Sequence, residues 1–397
     1  MTTTEVLVVG AGPVGTVGAL RLAQMGVNVI VCEAEASCAL DLRASTFHAP
    51  TIEMLDELGV AAALLERGLK APIYQIRDRR TGEKLAFDLS EIADRTRFPF
   101  RLQCEQHYMA KLVAERLAAM DNAEVRFSSR VVHAEQVGDQ IVATVESGGE
   151  RSEIRAAYLI GADGAHSTIR KLLGVGFEGF TYDAKFLSLS TAFPVEETVP
   201  DLDYVNYISD PDEWLVLLKV PGLWRVLVPA DGDQSDAEIL SQENVRRVLS
   251  RIVGEREVEL AHKTIYRVHQ RVAETFVRGR MFLVGDAAHL NNPLGGFGMN
   301  SGIHDIWNLT DKLEPVLRGR ADASALDLFD RQRRTVTRNF IQAQTKENMA
   351  FMQQDKTEAH DARQSRMRAI HDDPDLRRGY LLQQAMFKSL EDAEQVQ

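Results

Sequence analysis

The apolar positions of this chain change rhythm along its length, and each rhythm predicts a different element. Glu5–Val9 (EVLVV) is a near-continuous apolar run that stops at a glycine, the pattern of a strand buried on both faces. From Pro13 to Met25 the residues Val14, Val17, Leu20, Leu22 and Met25 recur along a helix, which Gly26 ends. Val27–Cys32 is a second apolar run. Ile52, Leu55 and Leu58 mark an amphipathic helix with Pro50 near its start. Ile73 to Leu89 reads as a β-hairpin turning at Thr81-Gly82, and Gln103 to Met120 as a helix with a basic polar face. Glu124 to Val145 holds alternating strands, and Arg155–Ile160 is a strand ending at Gly161.

From Lys185 to Lys263 the character changes. KFLSLSTAF alternates strictly, and Trp214–Val220 and Leu223–Val228 flank Pro221-Gly222 as an antiparallel hairpin. Arg280–Val284 (RMFLV) returns to the buried-strand pattern, the chain from Ile303 is largely helical, and the stretch after Gln353 is polar and charged. Together these predict an α/β protein. A Rossmann-like domain is assembled from 1–72, 98–181 and 268–345; an inserted, mostly antiparallel sheet takes 73–97 and 182–267; a helical segment, 346–397, closes the chain. The tail's apolar positions Leu381, Leu382, Met386 and Phe387 suit either packing within the chain or a homodimer contact.

Composition narrows the chemistry. The 397 residues are 45% hydrophobic and 26% charged, ordinary for a globular protein, and the net charge of -12 argues against nucleic acid or anionic membranes as partners. No run approaches the ~20 apolar residues of a membrane span. Cys32, Cys38 and Cys104 show no CxxC spacing, so a reducing, cytoplasmic setting is expected, with no disulfide framework and no zinc site. GxSxG, HExxH and clustered His/Cys ligand sets are absent from the sequence, which leaves neither a serine nucleophile nor a metal to carry chemistry.

Three glycine-containing turns remain. Gly10-Ala11-Gly12-Pro13-Val14-Gly15 follows the first strand: Gly10 permits the tight turn, Gly12 lets a pyrophosphate approach the backbone, and Gly15 lets helix and sheet close up. The helix start offers N–H groups to that phosphate, and Glu33, at the end of the second strand, is placed for ribose hydroxyls. This motif alone serves NAD or FAD, so an NAD-only dehydrogenase stays open on it. Asp163-Gly164 lies between a strand and a helix and reads either as a cap and turn or as part of a cofactor site. Gly285-Asp286-Ala287-Ala288-His289 follows a buried strand, and Asp286 there can accept hydrogen bonds from a polyhydroxyl chain. Pro293–Asn300 (PLGGFGMN) then offers backbone without Cβ obstruction for a flat ring, with Asn300 or Ser301 as N-cap of the next helix.

Taken with their spacing, these motifs resemble the single-component flavoprotein hydroxylases of the para-hydroxybenzoate and phenol hydroxylase type, over roughly residues 4–175 and 270–345. The resemblance implies FAD as prosthetic group, NADH or NADPH as reductant, and O2 as oxidant. Oxygen is transferred through a flavin C4a-hydroperoxide to a phenolic or hydroxy-heteroaromatic substrate. It assigns Gly10, Gly12, Gly15 and Glu33 to the ADP half of FAD, and Arg43 and Gln103 to its phosphates and ribityl chain. Asp163 goes to the pyrophosphate region, Asp286 to the ribityl chain, and Pro293, Gly298, Met299 and Asn300 to the ring. The positive end of the helix after the ring favours negative charge on a reduced flavin.

The substrate side reads less sharply. Tyr204, Tyr207, Trp214 and Trp224 can line an aromatic pocket or be sheet core; Arg225 can meet a carboxylate or lie on a solvated strand face. His48 is a candidate for substrate contact or proton relay, and His289 reads as a local hydrogen-bonding residue. Competing readings are a flavin halogenase, a prenyl-chain reductase, and a non-catalytic protein-binding relative of the GTPase dissociation inhibitors. The absent WxWxIP motif and the intact ring segment argue against the first and the last.

Overall fold

A strand buried on both faces organises the first half of the fold. In the computed structural model, which describes residues 2–38, 44–210, 213–352 and 358–397, Thr2–Val9 pairs in parallel with Val29–Cys32 on one side and Glu150–Gly161 on the other. Val6, Leu7 and Val8 are fully buried, which is why the run is apolar without alternation. Ala123–Arg126 and Met281–Leu283 extend the sheet, giving the order 281–283, 150–161, 2–9, 29–32, 123–126. The hairpin Arg130–Val137 and Gln140–Ser147 folds back antiparallel on Glu150–Gly161.

Register decides where the motifs go. Val9 lies opposite both Cys32 and Gly161, and Gly161 lies opposite Leu283. The parallel strands therefore end level, and Gly10, Glu33, Asp163 and Asp286 all follow at one edge. That edge is the carboxyl end of a parallel sheet at its topological switch point, where connections diverge and leave a crevice.

The second sheet runs 289–290, 262–273, 177–191, 223–230, 215–220, 205–209, 73–78, 84–88. It is antiparallel except where Val205–Ser209 pairs in parallel with Ile73–Asp78. The hairpin predicted at 73–89 thus joins the later strands in one sheet. Strands Phe177–Thr191 and His262–Ala273 each continue through positions 182 and 267, with the register between them shifting between Thr181 and Lys185. Strand alternation gives this sheet two faces. Leu187, Leu189, Leu217, Trp224, Val226 and Val228 are buried with the helix Gln242–Val253. Tyr74, Ile76, Phe186, Val205, Trp214 and Val216 share a core with Leu294 of the late glycine segment and with the C-terminal helices.

Those helices, Gln342–Met352, Glu358–Asp372, Pro374–Gln384 and Phe387–Gln395, cover that second face. Met349, Met352, Leu381, Ala385 and Phe387 are buried in its core, and Met386 beside Phe297. Each such burial contributes about 1.5–3 kcal/mol. The ion pairs Arg368–Glu83 and Arg378–Asp94 lie at the surface, where solvent screens them and they add little. The apolar side chains hold the tail down.

One element differs from its sequence reading. Arg101–Gln103 is a short strand between Thr46–Phe47 and Leu69–Ala71, and the helix begins only at Gln106. Backbone pairing to two neighbours overrides the helical pattern there.

Candidate active site

The two glycine turns, far apart in sequence, touch. A Cβ on Gly302 would lie 2.6 Å from Val14 Cγ2 and 3.0 Å from Gly285 Cα, and one on Gly18 2.2 Å from Ile306 Cγ1. The helices Pro13–Gln24 and Phe297–Leu317 cross at these glycines, so only residues without side chains let the turns approach. Within the first turn, Gly10 has φ +106° and its Cβ would meet Ala162 O at 2.5 Å, while one on Gly15 would meet Gly10 O at 2.0 Å. Gly12 differs: a Cβ there would meet nothing within 4 Å. It fronts the start of a helix with no side-chain cap and no acid in its first turn, so N–H groups remain for an anion.

The acids at the same edge have distinct jobs. Glu33 accepts the Ala11 N–H at 2.7 Å and the Glu35 N–H at 2.9 Å, which pins its carboxylate beside the first turn. Asp163 accepts from Ser167 Oγ at 2.5 Å and from the Thr168 and Ile169 N–H groups at 2.6 and 3.1 Å. Its carboxylate caps the helix Thr168–Leu172. Asp286 sits in the single turn Gly285–Ala287, exposed between buried neighbours. Arg43 lies outside the described residues.

Behind Asp286 is a buried ionic network. Asp305, from the helix Phe297–Leu317, accepts from His289 Nε2 and Arg333 Nε, each at 2.7 Å, and from the Gly285 N–H at 3.1 Å. Burial pushes the Asp305 carboxyl up, but His289 and Arg333 more than offset it and hold it ionised. His289 is thus a structural hydrogen-bonding residue. Sequence offered no sign of Arg333, because its partner lies on the preceding helix, 28 residues back.

The ring segment departs from its reading in one respect. The helix starts at Phe297, four or five residues earlier than an Asn300 or Ser301 cap implies; Gly296, at φ +71°, occupies the cap position. Consecutive left-handed glycines, Gly295 and Gly296, turn the chain into the helix without a side-chain cap. Asn300 is instead fully buried, accepting the His48 N–H at 3.0 Å and donating to Thr46 O at 2.8 Å and Gly296 O at 2.7 Å. Pro293 is exposed, Gly298 and Met299 half-buried.

His48 is buried and stacks on Phe297 at 5.5 Å. Its Nε2 lies 2.9 Å from Gly295 O; a carbonyl only accepts, so Nε2 carries the proton and Nδ1 is an acceptor with no partner among the described residues. Burial and the nearby Arg101 charge push its pKa well below the usual value, so the ring is neutral. Gln103, fully buried, accepts from Thr46 Oγ1 at 3.0 Å, and its Nε2 donates to nothing among the described residues.

On the substrate side two expectations change. Arg225 is buried and ion-paired with Glu105 at 2.5 Å, so it does not lie on a solvated strand face. Trp224 is on the face packed by helix Gln242–Val253, away from the glycine segment, and Tyr204 is exposed. Tyr207 and Trp214 are on the face that meets Leu294. Arg101, Tyr74 and Tyr380 also gather there, and the sequence reading named none of them.

Glycines that leave no room for side chains, helix N–H groups behind Gly12, a fixed Glu33 carboxylate and an orphaned Gln103 amide suit an extended dinucleotide carrying negative charge at its middle. Comparison with known proteins agrees. The family described as FAD binding domain matches residues 3–344. The para-nitrophenol 4-monooxygenase of Pseudomonas sp. (strain WBC-3) is 32% identical over 354 residues, 88% of this chain and 87% of that one. The 6-hydroxy-3-succinoylpyridine 3-monooxygenase of Pseudomonas putida (strain DSM 28022 / S16) is 34% identical, covering 85% of each. The crystal structure of the p-nitrophenol 4-monooxygenase of Pseudomonas putida DLL-E4 superimposes with a TM-score of 0.92 at 30% identity, covering 98% of this chain and 99% of that one. These similarities support the hydroxylase reading over the halogenase, reductase and dissociation-inhibitor readings.

Proposed function

The chain belongs to the FAD-binding family of aromatic monooxygenases, and from that premise we propose how its residues divide the work of hydroxylating a small aromatic substrate with O2 and NADH or NADPH. The observation that carries the assignment is the level ending of the parallel strands, which puts Gly10, Glu33, Asp163 and Asp286 along one edge. When bound there, FAD supplies the redox centre that takes hydride from the reductant and makes O2 reactive toward an electron-rich ring.

Gly12 and the start of helix Pro13–Gln24 receive the pyrophosphate, with Arg43 as a further phosphate ligand. Glu33 takes the adenosine ribose, and Asp286 and the free Gln103 Nε2–H take the ribityl hydroxyls. Asp163 acts through the Ala162–Gly10 contact, holding the first turn in place. Pro293, Gly298 and Met299 line the ring, and the start of helix Phe297–Leu317 favours negative charge at its edge. Asn300 fixes the ring segment to the Thr46–His48 strand end. His48 holds its proton on Gly295 O and presents Nδ1 as an acceptor, so it orients neighbours and does not exchange protons near neutral pH. Arg225, tied to Glu105, shapes the site from behind.

The apolar face of the second sheet, closed by the C-terminal helices, excludes water from the reacting atoms. The substrate we propose is a phenol or hydroxypyridine, the class the relatives' names indicate. Three free, buried cysteines suit a reducing cytoplasm, and burial, raising Cys32 and Cys104 to about 11, keeps those thiols protonated and inert. The tail's apolar residues are used inside the chain, so the proposal requires no second copy.

The test is purification followed by flavin spectroscopy and a substrate panel. Bound FAD, with NAD(P)H oxidation accelerated by a phenol and matched by hydroxylated product, is the expected result. Protein that cannot be loaded with FAD overturns the reading.

A further inference from the structure

Arg101 is 2% exposed, yet its guanidinium has no carboxylate partner among the described residues. Among the described residues it donates once, from Nη1 to Tyr207 Oη at 3.1 Å, and its Nε reaches no acceptor. What surrounds it is aromatic: the guanidinium carbon lies 4.2 Å from the Tyr74 ring centre and 6.0 Å from that of Tyr207. Tyr74 is itself clamped, stacked on Phe87 at 5.3 Å and edge-on to Tyr207 at 6.5 Å, and its buried hydroxyl has no partner among the described residues.

A buried cation without a counter-charge costs several kcal/mol, of which a desolvated ring face returns about 2 kcal/mol or somewhat more. Other buried arginines find acceptors: Arg333 has Asp305, Arg225 has Glu105, and Arg170 donates to the Ala287 and Ala165 carbonyls. Arg101 is the exception among them, and its position explains why. Thr46 pairs with Gln103 and Phe47 with Leu102, so the next residue, His48, comes beside Arg101. His48 in turn holds Gly295 of the ring segment. On a strand, residues two apart share a face, so Arg101 and Gln103 point the same way. Each carries a buried N–H donor without an acceptor.

We propose that Arg101 is the anion anchor of the substrate site: the aromatic substrate binds with a negatively charged oxygen, a phenolate or an acidic substituent, against the Arg101 guanidinium and the Tyr207 hydroxyl. The inference rests on the hydroxylase reading and narrows its substrate to anionic aromatics. Selection follows from charge: a neutral ring of the same shape leaves Arg101 unpaired, while an anion completes it. Binding the phenolate also makes the ring more electron-rich, which is the state hydroxylation needs.

Equilibrium binding to the FAD-loaded protein, followed by the change in flavin absorbance, tests this with near-isosteric pairs. 4-Cyanophenol is set against 4-aminobenzonitrile and 4-nitrophenol against 4-nitroaniline, in buffer alkaline enough to ionise the phenols. Wild type is expected to favour the anion of a pair by about tenfold to a hundredfold. Arg101→Met should lose that preference while keeping its affinity for the neutral partner, and Arg101→Lys should retain part of it. Wild type that does not prefer the anion in either pair overturns the proposal without need of a variant. So does an Arg101→Met protein that weakens both members equally. Failure of the reading itself looks different: no flavin binds, or no phenol accelerates NAD(P)H oxidation.

Discussion

Replacing Asp305 by asparagine keeps the shape of the network behind the late glycine turn and removes its charge. Asp305 and Arg333 are both fully buried, and the carboxylate also holds the Gly285 N–H and His289. Asparagine can still accept one bond from Arg333 but presents an N–H to a neighbour that is itself a donor. Arg333 is then a buried cation without a counter-charge, a situation that costs about 3–5 kcal/mol. Urea unfolding of Asp305→Asn should show a loss of that size, with FAD retention reduced because Gly285 precedes Asp286. Adding Arg333→Met removes the stranded cation, so the double variant should recover at least about 1 kcal/mol relative to the sum of the singles. Acid should have the same direction of effect. The Asp305 carboxyl is depressed in the fold, so its contribution is present above the ordinary carboxylate range and is lost as pH falls through the depressed value. Strict additivity of the two substitutions, or a loss below about 1 kcal/mol for Asp305→Asn, would refute the claim that this network holds the turn.

Gln103→Leu should weaken FAD binding roughly tenfold; it removes an unsatisfied Nε2 donor but also the acceptor of Thr46 Oγ1, so the apoprotein should lose no more than about 1–3 kcal/mol, and FAD titration and apoprotein melting measure both. Gly15→Val should abolish FAD loading, because its Cβ falls 2.0 Å from Gly10 O, and stoichiometry after dialysis against excess FAD reads this directly. His304, pushed down to about 3 by burial and then by Arg333, takes up a proton only on unfolding. Stability should therefore fall as pH drops below about 6.5, by roughly 2 kcal/mol from this residue at pH 5. Unfolding curves of His304→Asn should lack that component. His48 is likewise neutral, so kcat/KM should show no His48 inflection near pH 6.5, and His48→Gln, which keeps a donor for Gly295 O, should leave the pH profile unchanged in form.

The cofactor half of the site was legible because its physics is local. A glycine that must turn, a helix that must start and an acid at a strand end recur within a few residues of one another, and parallel register carries them to one edge. The hairpins at Thr81-Gly82 and Pro221-Gly222 were legible for the same reason. The start of the late helix was misplaced because side-chain caps leave a signature in sequence and a left-handed glycine at the cap position leaves little. The substrate half was mostly illegible. Arg101, Tyr74, Tyr207 and Tyr380 come from four separate segments, and nothing in their local sequence says that they meet. Arg225 was ambiguous because strand alternation cannot say whether a charged residue faces water or Glu105 from another element.

The most direct test of the account is hydroxylation under isotopically labelled dioxygen, oxygen-18, with the FAD-loaded protein, NAD(P)H and an acidic phenol. Mass spectrometry of the product should show a single labelled oxygen, with one equivalent of NAD(P)H consumed per product formed. A product whose new oxygen comes from water, or NAD(P)H oxidation that never yields hydroxylated product from any phenol or hydroxypyridine, would contradict it.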